Sequence, residues 1–381
     1  MPEDTFVEVI NAAGFVTSLG GGPSSRAVAE VIAQASTRSY DVTELGDAVG
    51  KRIAQRAAVP AAAVTAGAAA GLVLGVAACI VGDDPALANS LPVAAGRALV
   101  VSQLTHANSY ERVVRLTGAQ LHRCGLPTRP GLGQTQAWEL AAALALPSVT
   151  GVLHTIVDDA GAIPLRVVSE LAHARQLPVI VDAAAQLPPA GNLTRFLADG
   201  ADLVVFSGGK ALRGPQASGL VLGRPDLVAT IRRLQEDTDA DCELWAQRGR
   251  GALWQQGIGR AMKVGPETML GIEAALAEFL GRDHDGEADD QESWLRELAG
   301  RLPGWRLTPA RQTAHFYPSL ACTLTPAAAR SGWQALAAQA PSVRADQSEL
   351  TAGVLRIRPE AVRPAERDLV GTALARLPAA G

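Results

Sequence analysis

Five short apolar runs, separated by stretches with helical spacing, constrain this 381-residue chain more than any other feature. They are ALVVSQ at 98–103, GVLHTIV at 151–157, PVIVDAA at 178–184, DLVVFSGG at 202–209 and GLVLG at 219–223. Most are apolar throughout rather than alternating. Strands covered on both faces read this way, so the runs predict a mostly parallel sheet with helices on either side. Leu165–Gln176 and Asn192–Gly200 carry the intervening helical spacing, and Gly200 is a C-terminal stop. The alternation holds from residue 60 to 225 and marks an α/β domain.

Beyond Gly223 the texture changes. Residues 226–250 are charged and read as helix, and 265–300 as one long helix interrupted by an acidic loop, DHDGEADD, at 283–290. Two short strands, in HFYPSLACTLTP and VLRIRP, sit among helices after residue 300, which predicts a smaller α+β domain. The expected borders are an N-terminal arm at 1–15, a large domain at 16–262 and a small one at 263–381.

Hydrophobic residues make up 48% of the chain and charged residues 19%, which excludes disorder. A net charge of −4 gives no excess of cations to neutralise phosphates, and 4% aromatics supply few stacking platforms, so a dedicated nucleic-acid binder is not expected. Four scattered cysteines, Cys79, Cys124, Cys242 and Cys322, form no C-x-x-C pair and read as free thiols in a reducing cytoplasm. The six histidines form no H-x-H or H-E-x-x-H, so no metal site is expected. The opening MPEDTFVEVINAAG has early acids and no apolar stretch, unlike a secretory leader. Residues 57–82 are long enough to span a membrane, but they are mostly Ala and Gly, with Pro60 and Thr65 inside; a helix buried within the large domain fits better.

Three places carry chemistry. Lys210 follows the run DLVVFSGG in a glycine-rich loop, where an ammonium is costly to desolvate. A phosphate loop is excluded there, because Val204 and Ala211 stand where Gly and Ser/Thr are required. Asp182 ends the run PVIVD, and the carboxyl ends of parallel strands line the crevice where such sheets bind ligands. Thr65–Gly71 is a small-residue turn opening an apolar helix, whose free amides make an anion site. Each has a plainer reading alone: a surface lysine, a helix cap, a tight turn. Together they supply what pyridoxal 5′-phosphate (PLP) needs. Its phosphate takes amide donors, its ring nitrogen a carboxylate, and its aldehyde a Schiff-base lysine. Their order in the chain matches fold-type I PLP enzymes.

The match narrows through NAAG at 11–14, SLGGGPSS, VTAGAAAGLVLG, VDAAAQLPP, FSGGKALRGPQASGLVLGR and GIGRAMKVG. These resemble the family of bacterial selenocysteine synthase (L-seryl-tRNA selenium transferase) and D-glucosaminate-type ammonia-lyases, over residues 11 to 275. The resemblance implies an aspartate aminotransferase-like large domain with a mostly parallel seven-stranded sheet. It implies that Lys210 is the PLP lysine and Asp182 the ring-nitrogen partner. Gly67, Ala68 and Ser207 would contact the phosphate, Ala184 one ring face and His106 the other. Read from the residues alone, His106 is equally a loop histidine. Arg358 and Arg356, two apart in VLRIRP, are candidates for the substrate carboxylate, with Arg213 and Arg311 behind them. Arg260 and Lys263 are candidates for reaching a partner subunit's cofactor in a homodimer or higher even oligomer.

Two departures from the family pattern stand out. Gly209 replaces the acidic residue that transferases carry before the lysine, and Pro266 a basic residue of the glucosaminate branch. With the first family motif already at Asn11 and the acidic balance, a tRNA substrate is not expected. The implied activity is a cytoplasmic carbon–nitrogen or carbon–oxygen lyase of amino acid metabolism. It would deprotonate Cα of an amino acid or amino sugar acid and eliminate a β-hydroxyl, giving a 2-keto acid and ammonia. Racemase or epimerase, aldolase and aminotransferase chemistry share that first step. A non-catalytic PLP-fold regulator is opposed by the intact Lys210 and Asp182.

Overall fold

The computed structural model describes residues 8–94, 96–129, 132–156, 161–239, 243, 256–311 and 316–377. Two compact units emerge: Ser24–Leu280, and Met1–Pro23 together with Gly281–Gly381. Among the described residues the strands in chain order are β1 (Val9–Ala12), β2 (Ala62–Thr65), β3 (Leu99–Gln103), β4 (Gln120–Cys124), β5 (Leu126–Arg129), β6 (Leu132–Gln134), β7 (Val149–Thr155), β8 (Val179–Asp182), β9 (Leu203–Ser207), β10 (Gly219–Gly223), β11 (Trp305–Thr308), β12 (Ser319–Thr323), β13 (Ser342–Ala345) and β14 (Val354–Ile357).

The larger unit is built on a seven-stranded sheet of order β2-β10-β9-β8-β7-β3-β4. β10 runs antiparallel to both neighbours and the remaining pairs are parallel. The five apolar runs are β3, β7, β8, β9 and β10, of which β9 and β10 are almost wholly buried. Val157, the last residue of the run at 151–157, lies outside the described residues. The helix expected across residues 57–82 is corrected: β2 occupies Ala62–Thr65, and the helix is Ala68–Val81, 14 residues long. Gly67, at φ 97°, makes the joint in a conformation that side chains disfavour. The helix is buried nearly all round, and Gly71 lets it approach the sheet: a Cβ there would lie 2.8 Å from Val205 Cγ1. No helix among the described residues is long and apolar enough to cross a membrane.

The charged stretch after 225 forms a helix over Pro225–Gln235; residues 240–242 and 244–255, including Cys242, lie outside the described set. The helix Pro266–Gly281 begins at the expected place. Its Glu273 takes both Arg52 Nε and Nη2, at 2.6 and 2.7 Å.

In the smaller unit β12 lies between antiparallel β11 and β14, while β1 pairs in parallel with β13. β11 and β13 add to the two strands expected. The acidic segment 283–290 is helix rather than loop, forming the start of His284–Arg301. Asp283 caps it by accepting the Gly286 N–H at 2.9 Å, and Asp285 and Glu287 sit in the first turn, where acids suit the helix dipole. The break in the long helix is therefore at the cap. Leu320, Val343, Ile357 and Val370 are fully buried in this unit's core.

Candidate active site

Four strands of the larger sheet end in polar residues: Thr65, Thr155, Asp182 and Ser207. Register aligns Thr65 with Gly219 and Gly219 with Ser207; across β9, β8 and β7, Val205, Asp182 and Thr155 align. These are the carboxyl ends of β2, β9, β8 and β7, where a parallel sheet opens its crevice.

Asp182 is the last residue of β8. Its Oδ1 accepts the Ala184 N–H at 3.1 Å, which also fixes half-buried Ala184 beside it. Lys210 lies three residues beyond β9 in a braced turn: the Gly208 N–H donates to Ser218 O at 2.8 Å, Gly214 N–H to Gly208 O at 2.9 Å and Arg213 N–H to Lys210 O at 2.8 Å. Burial pushes Lys210 below the ordinary lysine range, partly offset by the Asp182 charge. Burial pushes Asp182 above the ordinary carboxylate range, offset by the Ala184 amide and the Lys210 charge. The two groups thus sense each other in a poorly hydrated place. The turn also explains one departure from the family pattern. A Cβ on Gly209 would lie 2.7 Å from Gln216 Cα and O, so an acidic side chain has no room before this lysine.

Gly67, Ala68 and Ser207 come together around Gly219. Ser207 is its ladder partner, and a Cβ on Gly219 would lie 2.6 Å from Gly67 C and 2.8 Å from Ala68 N. Thr65 Oγ1 donates to Gly67 O at 2.9 Å, which shapes the turn. No side chain caps the helix start, so its first amides are left for an anion.

His106 follows β3, is 2% exposed, and its Nδ1 accepts the Thr155 N–H at 3.3 Å. His154, which the sequence reading passed over, packs edge-to-face on His106 with centroids 4.5 Å apart. Burial, then the His106 charge, pushes His154 down to about 3, so it is a neutral support. Gln103 clasps Ile163 through both backbone groups, at 3.1 and 2.6 Å. His154 reads from sequence as one polar residue inside an apolar strand; the pairing of β7 with β3 is what carries it to His106.

The remaining candidates are placed as follows. Arg213 shares the Lys210 turn with φ 58°, an uncommon backbone state for a non-glycine residue. Arg260 donates to Asp237 at 2.9 Å. With Lys263 it lines a 520 Å³ cleft that also includes Ala66 and Ala217, chain neighbours of Gly67 and Ser218. Arg356 and Arg358 belong to the smaller unit, and each has an internal acid: Arg356 Nε donates to Glu349 at 2.6 Å and Arg358 Nε to Asp346 at 2.6 Å. The anionic partner expected from a substrate is thus supplied by the chain itself. Arg311 pairs with Asp285 and Asp289 on the surface. Among the described residues, no group of three His, Cys, Asp or Glu side chains is arranged for a metal ion.

These residues fit PLP. The uncapped glycine turn matches a phosphate, the half-buried carboxylate a protonated ring nitrogen, and a lysine of lowered basicity an aldehyde.

The L-seryl-tRNA selenium transferase family model matches residues 9–238. A 5′-C-glycyluridine monooxygenase-decarboxylase of Streptomyces is 30% identical, over 94% of this chain and 86% of its own. The D-glucosaminate-6-phosphate ammonia lyase of Salmonella typhimurium is 30% identical over 77% of this chain and 72% of its own. An L-seryl-tRNA(Sec) selenium transferase of Desulfovibrio desulfuricans is 29% identical over 63% of this chain, which spans only 45% of that protein. In structure, a D-glucosaminate-6-phosphate ammonia-lyase superposes with a TM-score of 0.78 at 24% identity, covering 98% of this chain and 96% of that one. A PLP-bound serine palmitoyltransferase superposes at 0.59 and 16%, covering 96% and 86%. The architecture is that of fold-type I PLP enzymes. With 230 consecutive residues inside the family model and the strand-end lysine, aspartate and glycine turn in family order, the chain belongs to the L-seryl-tRNA selenium transferase family.

Proposed function

We propose that this protein is a PLP-dependent lyase that deprotonates Cα of a β-hydroxylated amino acid or amino sugar acid and expels the β-hydroxyl as water. Hydrolysis of the resulting enamine then gives a 2-keto acid and ammonia. The observation that carries this reading is the placement of half-buried Asp182 and Lys210 at the carboxyl ends of the paired strands β8 and β9. When bound, PLP withdraws electron density from Cα of the attached amino acid. Lys210 Nζ would hold the cofactor aldehyde and serve as the base for the Cα proton; its lowered basicity favours the neutral amine this needs. Asp182 keeps a proton on the ring nitrogen. Gly67, Ala68 and Ser207 would bind the phosphate, and His106 and Ala184 would pack against the ring. The ammonia lyase relative supports an amino sugar acid such as D-glucosaminate or its 6-phosphate.

The monooxygenase-decarboxylase relative, matched over more of this chain, supports a second reading: the same Cα chemistry, diverted by dioxygen to oxidative decarboxylation of a glycyl-bearing nucleoside. One experiment separates the two. The holoenzyme is given a panel of D- and L-hydroxy amino acids, amino sugar acids and glycyl nucleosides, with 2-keto acid, ammonia and dissolved oxygen followed together. The lyase reading expects equal keto acid and ammonia with no oxygen uptake. Oxygen uptake with carbon dioxide release selects the second reading. Racemised, transaminated or cleaved product without ammonia overturns both.

A further inference from the structure

We infer that Arg344 anchors a small-molecule anion, a carboxylate or phosphate group, in a cavity of the smaller unit. Four of the unit's partly buried arginines are Arg344, Arg356, Arg358 and Arg367. Three have an acid: Glu349 for Arg356, Asp346 for Arg358 and Asp290 for Arg367. Arg344 has none, and its buried Nε finds no acceptor. A guanidinium nitrogen removed from water without a partner is a cost that a ligand would remove.

The surroundings are built rather than incidental. Arg344 sits on β13 opposite Asn11 of β1 and lines a 560 Å³ cavity with Val16, Ser18, Trp333, Asp346 and Gln347. Arg344 and Asp346 are two apart on an extended segment and share a face, so a pair between them would be the simple outcome. Asp346 is instead held by Arg358 and by the Ser348 N–H, at 2.6 and 2.9 Å, which keep its carboxyl below the usual range against the pull of burial. Trp333 spends its indole N–H on Ala345 O at 2.9 Å, bracing the strand that carries Arg344. Asn11 turns inward onto Gly14 O and the Ala13 N–H. Asp346, Trp333 and Asn11 are therefore engaged elsewhere, and the guanidinium fork remains for an external anion. Ser18 and Gln347 add hydroxyl and amide donors on the same cavity. A carboxylate and a phosphate both match the fork.

This inference stands apart from the cofactor reading, because every residue in it belongs to the smaller unit. Holoenzyme is titrated calorimetrically with inorganic phosphate and, separately, malonate, for wild type, Arg344→Gln, Arg344→Lys and the exposed control Arg330→Gln. Wild type and Arg330→Gln should bind at least one anion saturably and equally. Arg344→Gln should weaken it about 10- to 100-fold, the worth of a charged hydrogen bond, and Arg344→Lys by less. Phosphate alone identifies a phosphate-ester site, malonate alone a carboxylate site. The cofactor's absorption spectrum should not change in any variant, so a failure of the cofactor reading shows separately. No saturable binding to wild type overturns the inference, as does unchanged affinity in Arg344→Gln. If Arg344→Gln does not fold, unchanged affinity in Arg344→Lys overturns it.

Discussion

Asp182 and Lys210 show how burial turns two ordinary side chains into a matched pair. Each is pushed toward its neutral form by desolvation and pulled back by the other's charge. The pair was legible in the sequence because a polar residue closing an all-apolar run has one place to go in a parallel sheet, the crevice edge. His154 was not legible, because its role comes from the neighbouring strand. Gly209 looked like a missing acid, and the Gln216 backbone supplies the steric reason. The pair gives a direct prediction. Asp182→Asn keeps an oxygen to accept the Ala184 N–H, so the fold and some cofactor binding should persist. An amide cannot hold the ring proton as a carboxylate does, so kcat should fall about 10²- to 10⁴-fold. Steady-state kinetics beside the cofactor's absorption spectrum checks this, and near-normal turnover contradicts the assigned role.

Elements were legible where composition and burial agree. The runs that became β3, β8, β9 and β10 are rich in β-branched and leucine residues, and their positions held to within a few residues. β2 was hidden because Ala62 and Ala63 carry no strand preference and run into an alanine-rich helix. β4 was hidden because QLHRC pairs only with β3 at the sheet edge, where polar residues are allowed. The acidic start of His284–Arg301 was misread as a loop because charge density was weighed above its capping value. The turn after β14 carries a pH dependence. Burial, reinforced by Asp346 and Glu287 and opposed by Arg358, pushes Glu360 up to about 7 from 4.5. Its folded pKa lies above the unfolded one, so the stability present below pH 4.5 is lost as pH rises through about 7. Glu360→Gln should therefore match wild type at pH 4 and be more stable at pH 8, by roughly 1–3 kcal/mol. Denaturant unfolding at both pH values checks the sign.

At the scale of the whole molecule, family membership and fold agree along the chain, while substrate choice divides the relatives. We propose a homodimer or higher even oligomer, with Arg260 or Lys263 turned toward a neighbour's cofactor. Within one chain both line a cleft that also includes Ala66 and Ala217. Light scattering on the active holoenzyme should give at least twice the mass of one chain, and an active monomer contradicts the assembly. We further propose a small-molecule substrate rather than tRNA, supported by the net charge of −4. The proposed lyase chemistry needs a cofactor held at one lysine. Borohydride reduction of the holoenzyme followed by peptide mapping tests this directly. The pyridoxyl group should be found on Lys210, in the peptide containing FSGGKALR. A label on another lysine, or no pyridoxyl label at all, would contradict the account at its base.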